Sequence, residues 1–214
     1  MNANAYHENK SPMRTGTPVN MKTNESIFLA GLLTLVLLQL SCDSSPTSPE
    51  TAGLGHFPMQ IGNRWTYQSL VDTSWIVDVE ITGKRQIGLR RYFVFEERYS
   101  GSDQVYRLYF RAGDDGRIFT SRQGQDRLYI DFGRTVGKAW PSFGEYIGQI
   151  SQRNVSRVVP AGAFENCVIV GWDMPQWVDD ELWDTFAPGV GAVVRNSAWT
   201  SFVLKSAVVN GIAL

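Results

Sequence analysis

The sequence predicts an all-β fold: an antiparallel meander of about ten strands, forming a curved or barrel-like sheet, with a sandwich as the alternative. Three observations predict it. Apolar and polar residues alternate with period two along most of the chain after Phe57, which marks strands with one buried face. Gly, Pro, Asn and Asp clusters punctuate these runs at hairpin spacing. Past residue 41, no stretch carries a 3.6-residue apolar period of helix length.

The N-terminal elements come first. Residues 1–20 are polar and aperiodic, and they read as an extension outside the native chain, with Met21 as the expected start. Residues 21–41 read as a signal peptide. Lys22 supplies the positive region, and Ile27 to Leu40 is an uncharged apolar run. That run falls short of the roughly 20 residues needed to cross a bilayer. It ends in Leu38-Gln39-Leu40-Ser41-Cys42, which resembles a lipobox, the signal that ends in the lipidated cysteine of bacterial lipoproteins. Gln39 stands where the pattern usually has Leu, and Leu40 is bulkier than usual. Residues 42–55 form the lipidated Cys and a Ser/Thr/Pro-rich tether that lacks the apolar content to pack. Acyl chains, palmitate among them, on Cys42 would hold the protein at a membrane, since each buried CH₂ contributes about 0.8 kcal/mol.

A single β-domain is expected over 56–214. Trp65 to Val71 is the first strand. In the second, Trp75, Val77, Val79 and Ile81 share one face, and Asp78, Glu80 and Thr82 the other. Arg91 to Tyr99 follows. Tyr106, Leu108 and Phe110 then alternate with Arg107 and Arg111. Leu128, Ile130 and Phe132 are expected inward, with Arg127, Tyr129 and Asp131 outward. The last strands are Tyr146 to Val159, Phe164 to Trp172, Val190 to Asn196 and Ser201 to Val209. Hairpin turns fall at Ser100–Asp103, Asp114–Gly116, Pro160–Gly162 and Pro188-Gly189, the last with Gly at positive φ.

Three segments carry a resemblance: Phe57-Pro58-Met59-Gln60-Ile61-Gly62-Asn63-Arg64-Trp65-Thr66-Tyr67, then Val159 to Val168 (VPAGAFENCV), then Phe186 to Val193 (FAPGVGAV). In this order they resemble a group of uncharacterised bacterial envelope lipoproteins with FPLxxGNxWxY, VPAGxFxxC and APGVGxV motifs. Met59 replaces the usual Leu, and Phe186 the usual Tyr. The resemblance implies an envelope location and a β-rich fold, and it implies no reaction. The motifs themselves read as structural, since Gly62, Gly162 and Gly189 suit tight turns and Trp65 and Tyr67 share a face.

Charge points to no nucleic-acid partner, because no basic stripe stands out and residues after Cys42 carry 17 Lys and Arg against 19 Asp and Glu. Cys167, inside a Val/Ile run, reads as a buried free thiol. After Cys42 the one histidine is His56, so neither a Ser-His-Asp device nor a His-rich metal site is expected in the domain, and no cofactor motif occurs. One acidic stretch stands out. Trp172, Asp173, Trp177, Asp179, Asp180, Glu181, Trp183 and Asp184 could contact a sugar or an ion. Read plainly, they form a long polar loop whose Trp rings cover the sheet.

The expected function is therefore a non-enzymatic, membrane-anchored lipoprotein whose β-domain binds a partner or serves a structural role in the cell envelope, with the outer membrane favoured. Its expected partners are the membrane, through the anchor, and an envelope protein or apolar ligand. One alternative is a carrier of an apolar small molecule or lipid in a barrel cavity. A second is a hydrolase using the Asp173–Asp184 acids.

Overall fold

The computed structural model describes residues 54–176, 181–196 and 200–214. Cys42, the signal segment and most of the tether lie outside these residues, as do Trp177, Asp179 and Asp180. A 3-10 turn, Leu54–His56, leads into thirteen strands: β1 (Arg64–Ser69), β2 (Ile76–Ile87), β3 (Arg90–Tyr99), β4 (Val105–Ala112), β5 (Ile118–Arg122), β6 (Gln125–Ile130), β7 (Trp140–Pro141), β8 (Ile147–Val159), β9 (Gly162–Asp173), β10 (Leu182–Ala187), β11 (Gly191–Asn196), β12 (Ser201–Val209) and β13 (Ile212–Ala213). All observed pairings are antiparallel. Twelve strands follow one another in a single sheet, ordered β6-β5-β4-β3-β2-β1-β12-β11-β10-β9-β8-β7, with β13 beside β12. The expected all-β curved or barrel-like meander is the fold, with more strands than the sequence announced.

The order has a simple logic. Every pairing but one joins chain neighbours. The exception, β1 with β12, joins the two halves, with Arg64 opposite Val208 and Ser69 opposite Phe202. The two free edges, β6 and β7, are consecutive in sequence. A β6–β7 ladder would close a complete up-and-down barrel. Side chains bridge that gap instead. Ser142 Oγ donates to the carbonyls of Leu128 and Tyr129, each at 3.1 Å. The indoles of Trp140 (3.4 Å) and Trp172 (3.3 Å) also donate to Tyr129 O. These donors satisfy carbonyls that a bare edge would leave open.

Alternation dictates the core. Trp65, Tyr67 and Ser69 of β1 point inward, as do Val77, Val79 and Ile81 of β2. Trp75 departs from its expected place: it precedes β2 and is 52% exposed, because the chain is still turning there. Phe57 enters the barrel and meets Phe110 at 5.3 Å, Phe95 at 5.8 Å and Phe186 at 6.0 Å between ring centroids.

Three corrections follow from local geometry. Tyr129 points inward, not outward. Ile118 pairs with Ile130 and Phe119 with Leu128, so Tyr129 is the extra residue of a β-bulge that turns it into the barrel. The expected polar loop at 172–184 is shorter than predicted: β9 runs to Asp173 and β10 begins at Leu182. Trp172 is buried, and Trp183 covers the opposite face, its ring 2.3 Å from where a Cβ on Gly171 would stand. Finally, β5, β7, β10 and β13 are strands that the alternation left unassigned.

The motif glycines and aromatics have structural partners. The Trp65 indole donates to Val190 O at 2.7 Å, and the Tyr67 hydroxyl to Ala192 O at 2.9 Å, so the first motif clamps the third. Gly191, at φ 99°, lies under Trp65 and Pro58, and a Cβ there would sit 3.4 Å from Pro58 Cδ. Asn63 is buried, accepts from Asn210 N (2.8 Å) and donates to Pro58 O (3.3 Å). His56 donates to Asn166 O at 3.2 Å and stacks on Phe132, tying the chain's entry to the second motif. Burial lowers the His56 pKa, against the Asn166 carbonyl and together with Arg153. Cys167 is fully buried and free, as expected, and burial raises its thiol pKa.

Candidate functional site

Several strands carry charged or phenolic residues at inward positions. On β3, Glu97 lies two residues from Phe95 and is 6% exposed. On β11, Arg195 follows Val193 by two. On β10, Asp184 precedes Phe186 by two and is 8% exposed. On β1, Tyr67 lies two residues from Trp65. With Tyr129, aimed inward by the bulge on β6, they form a polar layer across the lumen.

The layer is organised around Arg195. Its Nη2 donates to Glu97 Oε1 at 2.7 Å, and its guanidinium lies over the Tyr67 ring at 5.3 Å. The Tyr99 hydroxyl donates to Glu97 Oε2 at 3.4 Å, so both Glu97 oxygens are engaged. Burial opposes the Arg195 charge, but Glu97, Tyr67 and Asp184 outweigh it and hold the pKa above its ordinary value. Burial likewise raises the phenols of Tyr67 and Tyr129. Asp184 differs. Its Oδ1 accepts one hydrogen bond, from Asn196 N at 2.9 Å, and among the described residues no cation lies within ion-pair reach. Burial pushes its carboxyl up to about 6; Arg195 and the Asn196 amide pull it back, and Glu97 pushes it further.

Two voids adjoin this layer and share Tyr129, Asp184 and Arg195. One, of about 70 Å³, is lined chiefly by Phe57, Trp65, Phe95, Phe110 and Phe186. The other, of about 180 Å³, is lined by Tyr99, Phe143, Trp172, Leu182, Asn196 and Phe202. Aromatic contacts run through both walls: Tyr129 stacks on Trp172 at 5.1 Å and meets Phe110 at 4.9 Å. Leu108 and Tyr106 occupy inward positions on β4, opposite Phe95 and Glu97, yet are 36% and 43% exposed. Solvent thus reaches the lumen's wall along β4.

The acidic stretch singled out from sequence is dispersed. Asp184 is inside the lumen, Asp173 is half-buried at the end of β9, Glu181 is exposed, and Trp183 lies on the outer face over Gly171. Trp172 lines the larger void. Among the described residues no three His, Cys, Asp or Glu side chains group as metal ligands. Asp115, in the Asp114–Gly116 turn, is bound by Arg117. Glu97 and Arg195 escaped the sequence reading; the signal that finds them is a charged residue two positions from Phe95 and Val193 on the inward phase of its strand. Tyr129 carries no such signal, because the bulge reverses its side.

No protein-family model matches the chain, and no curated protein matches it. Two solved structures are similar in fold. One is a Bacteroides fragilis protein assigned as exported, with a YmcC-like fold, 14% identical, covering 71% of this chain and 98% of its own, with a TM-score of 0.48. The other is a Parabacteroides distasonis protein assigned as a lipoprotein, 13% identical, covering 71% of this chain and 97% of its own, with a TM-score of 0.39.

Proposed function

We propose that this chain is an exported lipoprotein, held at an envelope membrane by lipid on Cys42, whose barrel is a non-catalytic binding domain. The anchor rests on the apolar run, Cys42 and the Ser/Pro-rich tether. The binding role rests on one observation: the lumen holds a buried carboxyl, Asp184, with an oxygen that nothing among the described residues engages, beside two aromatic-walled voids. A lumen built only to be filled would bury another ring there.

The geometry weighs the alternatives. Typical small-molecule pockets span about 300–1,000 Å³. Voids of about 70 and 180 Å³ are too small for an acyl chain, which counts against a lipid carrier. Two-carboxylate hydrolysis needs an acid and a second, available carboxylate. Glu97 is committed to Arg195 and Tyr99, and the other described acids of the 173–184 stretch are apart from Asp184. Replacing Cys42 by Ser should move the protein from the membrane fraction to the soluble fraction; a variant that still sediments with membranes would refute the anchor.

A further inference from the structure

We infer that the larger void is a site for a small organic cation, a short alkylammonium, held by the Asp184 carboxylate in a lining that includes Tyr129 and Trp172; this rests on the reading of the barrel as a binding domain. Charge comes first. The lumen contains Arg195, Glu97 and Asp184. Arg195 is hydrogen-bonded to Glu97 at 2.7 Å, and among the described residues no cation lies within ion-pair reach of Asp184, which is 8% exposed. An unpaired buried carboxylate is strongly disfavoured, and a cation beside it removes that cost. The donor and acceptor inventory agrees. Among the described residues Asp184 Oδ2 accepts no hydrogen bond and the Tyr129 hydroxyl has no partner, whereas the Tyr67 hydroxyl donates to Ala192 O. Both open groups suit an N–H donor.

The walls select the kind of cation. Tyr129 and Trp172 stack at 5.1 Å, and Phe143, Phe202 and Leu182 complete an apolar lining. Such a lining solvates a short alkyl chain, while the Asp184 carboxylate selects an ammonium at its end. A hard metal ion wants several oxygens, and among the described residues the lining offers one free carboxyl. An anion would face uncompensated negative charge. The volume, about 180 Å³, admits a few carbon atoms.

The site should also respond to pH. The groups facing Asp184 are Arg195 and the Asn196 amide from β11, Glu97 from β3, Tyr67 from β1 and Tyr129 from β6; Trp172 and Val170 on neighbouring β9 do not titrate. Arg195 stays charged and the two phenols stay neutral through the neutral range. Asp184, near 6, is the member set to change there, and cation affinity should fall as it takes up a proton.

Calorimetric titration of the full-length lipidated protein in neutral detergent, with n-butylammonium, 1-butanol and butyrate, tests this. Saturable butylammonium binding is expected at pH 7.5, at least about tenfold weaker in Asp184→Asn and similarly weakened in the wild type at pH 5, as expected for loss of a charge-assisted hydrogen bond. Butanol and butyrate should bind much more weakly. Butanol binding as tightly as butylammonium, with no effect of Asp184→Asn or of pH, would overturn the cation site and leave the binding lumen standing. Absence of binding by all three probes would overturn both. Should Asp184→Asn lose its fold by circular dichroism, the wild-type pH series decides alone.

Discussion

At the scale of single residues, position within the β pleat decides chemistry. Asp173, Glu181 and Asp184 look alike in the sequence, yet only Asp184 falls on the inward phase of β10, two residues before Phe186. Its carboxyl pKa is about 6 in the fold against 3.8 as a free group, so the folded chain holds a proton more tightly than the unfolded chain does. The consequence for stability has a definite sign. Above about pH 6 the native state carries a buried charge it disfavours, and the penalty is complete. As pH falls from 6 towards 3.8 the native state takes up the proton first and the penalty is relieved. Below 3.8 both states are protonated and nothing further changes. Asp184→Asn has no such titration. Unfolding free energies from urea titrations between pH 4 and pH 7 should therefore shift in the variant's favour by on the order of 2–3 kcal/mol relative to wild type. A flat difference curve would show that Asp184 is not desolvated. The sequence made Asp184 a candidate for the right residue type and the wrong surroundings. Five acids in thirteen residues read as solvated loop, and nothing local said that β10 begins at Leu182.

At the scale of elements, the β6–β7 seam shows how the barrel manages without its last ladder. The bulge at Tyr129 has two effects: it turns the ring into the lumen, and it leaves Tyr129 O to accept from Ser142, Trp140 and Trp172. Period-two reading places Tyr129 outside, because one inserted residue reverses the side of its side chain. The same reading succeeds on β1 and on most of β2, where neither strand carries an inserted residue as far as Ile81; the irregularity of the β1–β12 ladder at Thr66/Tyr67 falls on β12. It finds the Ser100–Asp103 and Asp114–Gly116 turns for the same reason: Gly101 and Gly116 sit at φ 77° and 76°, where a turn needs glycine. It misses β7 and β13, whose two residues are too few for a period. The seam itself is testable. Ser142→Ala and Trp172→Phe each remove one donor to the Tyr129 carbonyl and should cost about 1 kcal/mol. Together they should cost more than the sum, since Trp140 alone remains to satisfy that carbonyl. Hydrogen exchange should rise first in β6, Gln125–Ile130, before the amides of β1 and β12. Uniform acceleration across the sheet would mean the seam is not a separate weak point.

At the scale of the whole domain, the chain order and the sheet order differ in one place, and that place sets the folding problem. β1 must find β12, with Trp65 against Ala207, before the aromatic wall around Phe57 can close. Every other ladder joins chain neighbours. Loop closure over that separation is the large entropic step, and topology of this kind folds in milliseconds to seconds. The edges β6 and β7 are consecutive and share no ladder, so the connection between them is the least costly to cut. Val136 in that connection is 47% exposed, and Leu214 pairs with Ala207 beside β1. A circular permutant of the β-domain can therefore join Leu214 to Leu54 through a short Gly/Ser linker and open at Val136. Its strands then run β7 to β13 and on through β1 to β6, so that every long ladder except the turn past β13 joins consecutive elements. The core, the Arg195–Glu97 pair and the Trp65–Val190 hydrogen bond are untouched by the change. We expect the permutant to give the same β-rich circular dichroism as the unpermuted domain and to refold about tenfold faster after dilution from urea, followed by tryptophan fluorescence. Equal or slower refolding, with the native spectrum retained, would show that the β1–β12 pairing is not the limiting step and would move the barrier to the strongly bent β8–β9 hairpin, where the register shifts three times.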